Sequence, residues 1–258
     1  MTDDEDRRER RPTQPRRQSQ VAAQTTHRMQ PRMSLHGLAE YPIASHTRKR
    51  RILEQEKNPG LFQTAFRRKP DDAIRRCLRT GGKDRRRLDE AMDFLRRAKP
   101  KNEYEAQQAK SGIETLESFG RCLAKSLLPL DRLQRPPKDE IAWKVEGVEI
   151  SAAPDAVVVR DGVIVGAVKR YLKKKPRLGG KRADFAGVIL RRYVDRISPG
   201  NADPRSCYLL DVHGAVAIPA PKSHTNAWRE LTAVCRDVFA LWPAVEIKPP
   251  RPDRKGTK

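Results

Sequence analysis

The sequence predicts a mixed α/β (α+β) protein whose core runs helix, three strands, helix, strand, preceded by a helical hairpin and flanked by basic tails. Three observations predict it. After Glu140 the texture changes from charged helical sequence to short β-rich runs at 143–150, 156–159 and 163–171. The run Val163-Ile164-Val165-Gly166-Ala167-Val168 has no polar face, which marks a strand covered on both sides and therefore central. Phe185, Ile189, Tyr193 and Ile197 then return every four residues, the signature of a helix with one apolar face.

Taken in order, residues 1–32 are Arg, Gln, Thr and Pro with almost nothing apolar, and are expected to stay disordered because they bury too little to offset the entropy of ordering. Apolar residues return at Met33, with Ser45 as a helix cap, and Met29 and Met33 are candidates for the translation start beside Met1. Residues 33–100 read as a helical region. In it Asp71 caps a helix carrying Ile74, Cys77 and Leu78, Gly81-Gly82 ends that helix, and a second stripe follows at Leu88, Ala91, Met92 and Leu95. The core, 101–245, opens on the longest helix candidate, with Ile113, Leu116, Gly120, Leu123 and Leu127 on one stripe. Asp161-Gly162 turns between the second and third strands, two further strands meet near His213-Gly214, and a helix over 226–241 precedes a Pro- and Lys-rich tail at 246–258.

A net charge of +22 makes a polyanion the expected partner, since neutralising phosphates releases their condensed counterions. Nucleic acid, DNA first, fits best; a solvated set of arginines is the plainer alternative. With aromatic residues at 5%, stacking platforms for single strands are scarce, so backbone contact is expected over base reading. Cys77, Cys122, Cys207 and Cys235 form no CxxC pair and read as buried thiols of a reducing cytoplasm. No apolar run reaches the length of a membrane helix, so no membrane partner is expected.

Pro154-Asp155 stands at the start of the second strand and Ala167-Val168-Lys169 lies on the third, with a helix following. In that arrangement residues 102–212 resemble the restriction-endonuclease-like, or PD-(D/E)xK, nuclease core. The resemblance implies a metal-dependent phosphodiester hydrolase, with Asp155 as ligand of Mg2+ or Mn2+ and Lys169 as catalytic cation. A divalent ion would polarise the phosphate and supply hydroxide, and the lysine would orient water or neutralise developing charge. Ala167 departs from the family's pattern, because a carboxylate belongs there. Glu117, at the edge of the long helix's apolar stripe, is one candidate replacement ligand; Glu146 and Glu149 on the first strand are others, and Glu114 faces further away.

Strand register tests this arrangement. A three-residue loop, Arg160-Asp161-Gly162, sets Asp155 opposite Ala167 and on one face with Lys169, and it is the expected loop; a two-residue loop pairs Arg160 with Val163 and sends the two to opposite faces. After the third strand, Lys173, Lys174, Lys175, Arg177, Lys181 and Arg182 crowd a Gly-containing loop that is expected to grip phosphates. Tyr193 reads as core, and His213 and His224 as turn or surface residues. Three functions stay open: a nuclease, a nucleic-acid-binding protein on the same fold without catalysis, and a basic structural protein of a nucleoprotein assembly.

Overall fold

A computed structural model of the chain describes residues 28–59, 65–125, 128–137 and 142–246. The expected disordered tails lie almost wholly outside these residues, as does Leu127 of the long stripe. First come β1 (Arg32–Ser34), α1 (Leu35–Glu40) and α2 (His46–Lys57). Both helices start on a serine, Ser34 or Ser45, whose hydroxyl accepts a first-turn amide. Met33, Leu35, Leu38, Tyr41, Ile52 and Leu53 are buried in the main core, so the 33–100 region, expected to be helical, also contributes a strand and two core helices.

The expected helical hairpin forms from α3 (Ala65–Arg79) and α4 (Arg86–Arg97). Gly81 and Gly82, at φ 64° and 77°, end α3 with left-handed residues, and Gly82 N–H donates to the Cys77 carbonyl. Asp71 is not the cap. The helix starts earlier and carries Pro70 inside it, because Phe66 extends the apolar face to reach Phe94, with ring centroids 6.1 Å apart. The long helix is α5 (Glu103–Lys125).

The strands are β2 (Leu133–Gln134), β3 (Trp143–Val145), β4 (Val148–Ser151), β5 (Ala156–Arg160), β6 (Val163–Tyr171), β7 (Tyr208–Asp211) and β8 (Val216–Pro219), with α6 (Gly180–Ile197) between β6 and β7 and α7 (Thr225–Leu241) at the end. They make two mixed sheets, ordered β2-β5-β6-β7-β8 and β1-β4-β3. As its apolar sequence predicts, β6 is central. It runs antiparallel to β5 and parallel to β7, the parallel step being carried over by α6.

Residues 143–150 depart from expectation. They form not one strand of the main sheet but the β3–β4 hairpin, folded at Glu146-Gly147 with both φ values positive and paired with β1 instead. The strand that flanks β5 is β2, only two residues long and too short for any periodicity to reveal. The chain through the main sheet thus runs α5, β2, β5, β6, α6, β7.

The β5–β6 turn also differs from expectation, and two deviations compensate. Arg160 pairs with Val163 across a two-residue loop, Asp161 and Gly162 both being left-handed at φ 51° and 77°, the pattern that suits the strands' twist. By itself that turn separates Asp155 from Lys169. However, the register slips between Val158 and Val159, where Val165 bulges out, and beyond the slip Ala156 pairs with Val168. Asp155 is therefore level with Lys169 and shares its face.

The main sheet is covered on both sides. Val157, Ala167, Tyr171 and Leu209 pack with α1, α6 and α7, whereas Ala156, Val158, Val168 and Leu210 pack with α3, α4 and α5. Each fully buried Val, Leu or Ile side chain in these layers stabilises the fold by about 1.5–3 kcal/mol. Lys57 ties the end of α2 to the C-terminal segment, its buried ammonium donating to the carbonyls of Trp242 (2.9 Å) and Val245 (2.7 Å).

Beside the bulge the 203–206 turn lies so close that a Cβ on Gly166 would stand 1.9 Å from the Ser206 carbonyl oxygen. Gly166→Ala is expected to destabilise the protein by at least about 1–3 kcal/mol, because backbone must move to admit one methyl. Urea denaturation measures it; an unchanged midpoint would contradict the close approach.

Candidate functional site

The site is built at the end of the main sheet where β5 begins and β6 ends. Asp155 precedes β5, and its N–H still donates to the Val168 carbonyl (2.8 Å). One carboxylate oxygen continues the ladder by accepting the Arg170 N–H (2.9 Å). The other lies 3.3 Å from Arg170 Nε and 3.7 Å from Arg75 Nε. Asp155 is 2% exposed, so its charge is tolerated only because these cations surround it. Burial would push its pKa up; Lys169 and Arg170 outweigh burial and hold it below the ordinary carboxyl value.

A second carboxylate does approach, and it is Asp71 of α3. Arg170, 6% exposed, donates from Nη2 to the Asp71 carboxylate (2.7 Å) and from Nη1 to its carbonyl (2.6 Å), while Arg75 meets the same carboxylate at 3.0 Å. Two guanidiniums thus lie between Asp71 and Asp155. Arg79, one turn beyond Arg75, donates from Nε to the Asp155 carbonyl (3.1 Å). A cleft of about 250 Å³ between α3 and α5 opens beside Asp71, lined also by Arg67, Ser111, Thr115 and Leu172.

Lys169, level with Asp155 at the end of β6, is half-buried and donates to the Ala153 carbonyl at 2.5 Å. Burial lowers its pKa, Asp155 raises it, and Arg170 and Arg75 lower it again, for a net downward shift. His36 of α1 belongs to this neighbourhood: its Nε2–H donates to the Arg170 carbonyl (2.9 Å) and its ring meets Tyr171 edge-on. Burial and then Lys169 push its pKa down to about 4, so the imidazole is neutral at pH 7.

The loop expected to grip phosphates is largely engaged within the fold. Lys173 pairs with the buried Glu40 (2.7 Å), and Lys174 pairs with Glu114. Arg177 stands 3.8 Å from Asp211, Lys181 3.8 Å from Glu230, and Arg182 donates to the Tyr171 hydroxyl. Lys175 is exposed and makes no such contact among the described residues. Glu40 gains most from this: burial alone would raise its pKa, but hydrogen bonds from Arg48 and Lys173 hold it down at about 2.

The candidate replacement ligands do not converge on Asp155. Glu117 is exposed on α5, Glu146 pairs with Arg236 (3.1 Å) at the β3–β4 turn, and Glu149 pairs with Arg32 (3.1 Å) on the smaller sheet. Ala167 is fully buried in the core. Among the described residues no group of three His, Cys, Asp or Glu side chains is arranged to hold a metal ion. The donor set does not fit Mg2+ or Mn2+, because the oxygens that would bind it already face guanidiniums and a backbone amide. Tyr193 is core as expected, His224 accepts from Arg191 (2.9 Å), and the four cysteines are buried free thiols raised to about 11 or 12.

Sequence reasoning singled out Asp155 and Lys169 but gave no site role to Asp71, Arg170 or His36. Arg170 carried one available signal, being, with Lys169, a charged residue in a central strand that is otherwise almost wholly apolar. The chain matches no protein-family model and no curated protein.

Two outcomes follow. Asp155→Ala leaves the buried Arg170 guanidinium with only Asp71 and is expected to destabilise by about 3–5 kcal/mol in chemical denaturation, whereas a surface change such as Glu117→Ala should stay within about 0.5 kcal/mol. Glu40's folded pKa of about 2 lies below its ordinary 4.5, so its stabilisation is complete above pH 4.5 and is lost as pH falls toward 2. Stability curves of wild type and Glu40→Gln should converge across that window, and parallel curves would refute the Glu40 pairing.

Proposed function

We propose that the chain is a nucleic-acid-binding protein on a PD-(D/E)xK-like fold that does not cut phosphodiesters. The observation that carries this reading is the Asp155 carboxylate, whose oxygens are held by the Arg170 amide and by the Arg170 and Arg75 side chains. The order α5, β2, β5, β6, α6, β7 supports the fold, with Pro154-Asp155 opening β5 and Lys169 on β6. The binding half rests on charge. With a net +22, many cations remain after internal pairing, and on the α3–α4 hairpin Arg67, Arg76, Lys83, Arg85 and Arg96 make no ion pair among the described residues.

A metal-dependent nuclease is the second reading, favoured by the shared face of Asp155 and Lys169. One experiment separates them. Wild type is incubated with plasmid, single-stranded DNA and RNA in Mg2+ or Mn2+, and duplex binding is followed by fluorescence anisotropy across a salt series. Binding whose logarithm falls by about 0.9 per phosphate contact per decade of salt, without cleavage, is expected. Cleavage that disappears in Asp155→Asn and Lys169→Met would overturn the binding-only reading.

A further inference from the structure

The ionic cluster at the end of the main sheet is unbalanced. Arg75 and Arg79 reach it from α3, and Arg170 and Lys169 from β6. Arg135 reaches it from the end of β2. Leu133 pairs with Val158 and Gln134 with Val157, and Pro136 keeps Arg135 extended, so Arg135 continues along β5 toward Ala156 and Asp155. Leu133 lies in the α3-side core, and Arg135, two residues on, returns to that side. Against these five cations stand Asp155, Asp71 and Asp72, the last with its side chain 57% exposed.

The carboxylates are not evenly shared. Asp71 and Asp155 are both bonded by Arg170 and Arg75, and Asp72 is shared between Arg75 and Arg68. Arg79 uses Nε on the Asp155 carbonyl, and neither its two terminal nitrogens nor the Arg135 guanidinium has an acceptor among the described residues. Burial first, then the neighbouring charges of Arg75 and Arg135, lower the pKa of Arg79 against the raising effect of Asp155. Neighbouring guanidiniums repel, and a tetrahedral oxyanion relieves them by accepting paired N–H bonds.

We propose that Arg79 and Arg135 form a phosphate seat that binds one backbone phosphate of a nucleic acid. This deepens the nucleic-acid-binding reading and rests on it. Arg170 and Arg75, held by Asp71 and Asp155, form the fixed floor, and Arg79 and Arg135 supply the open donors. The seat places the strand across the end of β2 and β5, beside α3, rather than on the 173–182 loop, whose cations are mostly paired. Its ligand is a phosphodiester or phosphate oxyanion and needs no metal ion.

The test compares two double variants that remove the same charge. Arg79→Gln/Arg135→Gln empties the seat; Lys144→Gln/Lys222→Gln removes two exposed lysines elsewhere, on β3 and before α7. With duplex DNA across a salt series, the first is expected to reduce the slope of log affinity against log salt by about 2, and the second to leave it unchanged. Equal effects from both would overturn the seat while leaving general nucleic-acid binding intact. If Arg79→Gln fails to fold, the exposed Arg135→Gln alone carries the comparison, with an expected slope change of about 1. If wild type binds no nucleic acid, titration with inorganic phosphate, read from the Arg79 side-chain Nε–H NMR signal, still decides. A saturable shift abolished by Arg135→Gln keeps a phosphate seat with free phosphate as ligand, and no shift removes it.

Discussion

The guanidinium of Arg170 is the constraint around which the molecule is arranged. It leaves the central strand, is almost completely withdrawn from water, and bonds a carboxylate from α3 and another from the head of β5. A buried arginine stripped of both partners would leave an uncompensated charge in a low-dielectric interior, so its position dictates those of Asp71 and Asp155. This ties the helical hairpin to the sheet. To the apolar packing of α3, α4 and α5 on the sheet the ion network adds directional bonds.

The same network determines what chemistry is open to the site. Two carboxylates flanking a cation is the arrangement by which a divalent metal is held; here organic cations carried by the chain itself occupy the space between them. Positive charge therefore accumulates where a metal site would present negative charge. His36, kept neutral by burial and then by the neighbouring Lys169, and Lys169, directed at the Ala153 carbonyl, fit the same balance.

Much of this was legible in the sequence where periodicity is long. The central position of β6, the α3–α4 hairpin with its Gly81-Gly82 stop, α5, and the Phe185, Ile189, Tyr193 and Ile197 face of α6 follow from patterns spanning several residues. What failed was short or non-local. β2 has only two residues, β1 finds its partner more than a hundred residues away, and the β3–β4 turn at Glu146-Gly147 carries no strong turn dipeptide. The Asp155–Lys169 relation was reached through a loop that does not form. Its correct outcome depends on the Val165 bulge, a feature set by the close approach of the 203–206 turn to Gly166. Ion pairing was the least legible, because a lysine-rich loop looks free until the carboxylates of Glu40, Glu114 and Asp211 are placed against it.

Ala167 shows why the departure from the nuclease pattern is not a single missing group. Its methyl is fully buried in the α6-side core, in the layer that also holds Val157, Tyr171 and Leu209. A carboxylate there would enter an apolar layer, and the nearest cation along its strand, Lys169, already donates to a carbonyl. Asp155 meanwhile is committed to the Arg170 amide, a bond that extends the β5–β6 ladder and that a metal would have to break. Packing at Ala167 and pairing at Asp155 thus reinforce each other: the first gives no room for a second ligand, and the second leaves the first ligand no free oxygen. The sheet end is left with Arg79 and Arg135, whose remaining donors have no acceptor among the described residues, and on those donors the proposed phosphate seat rests.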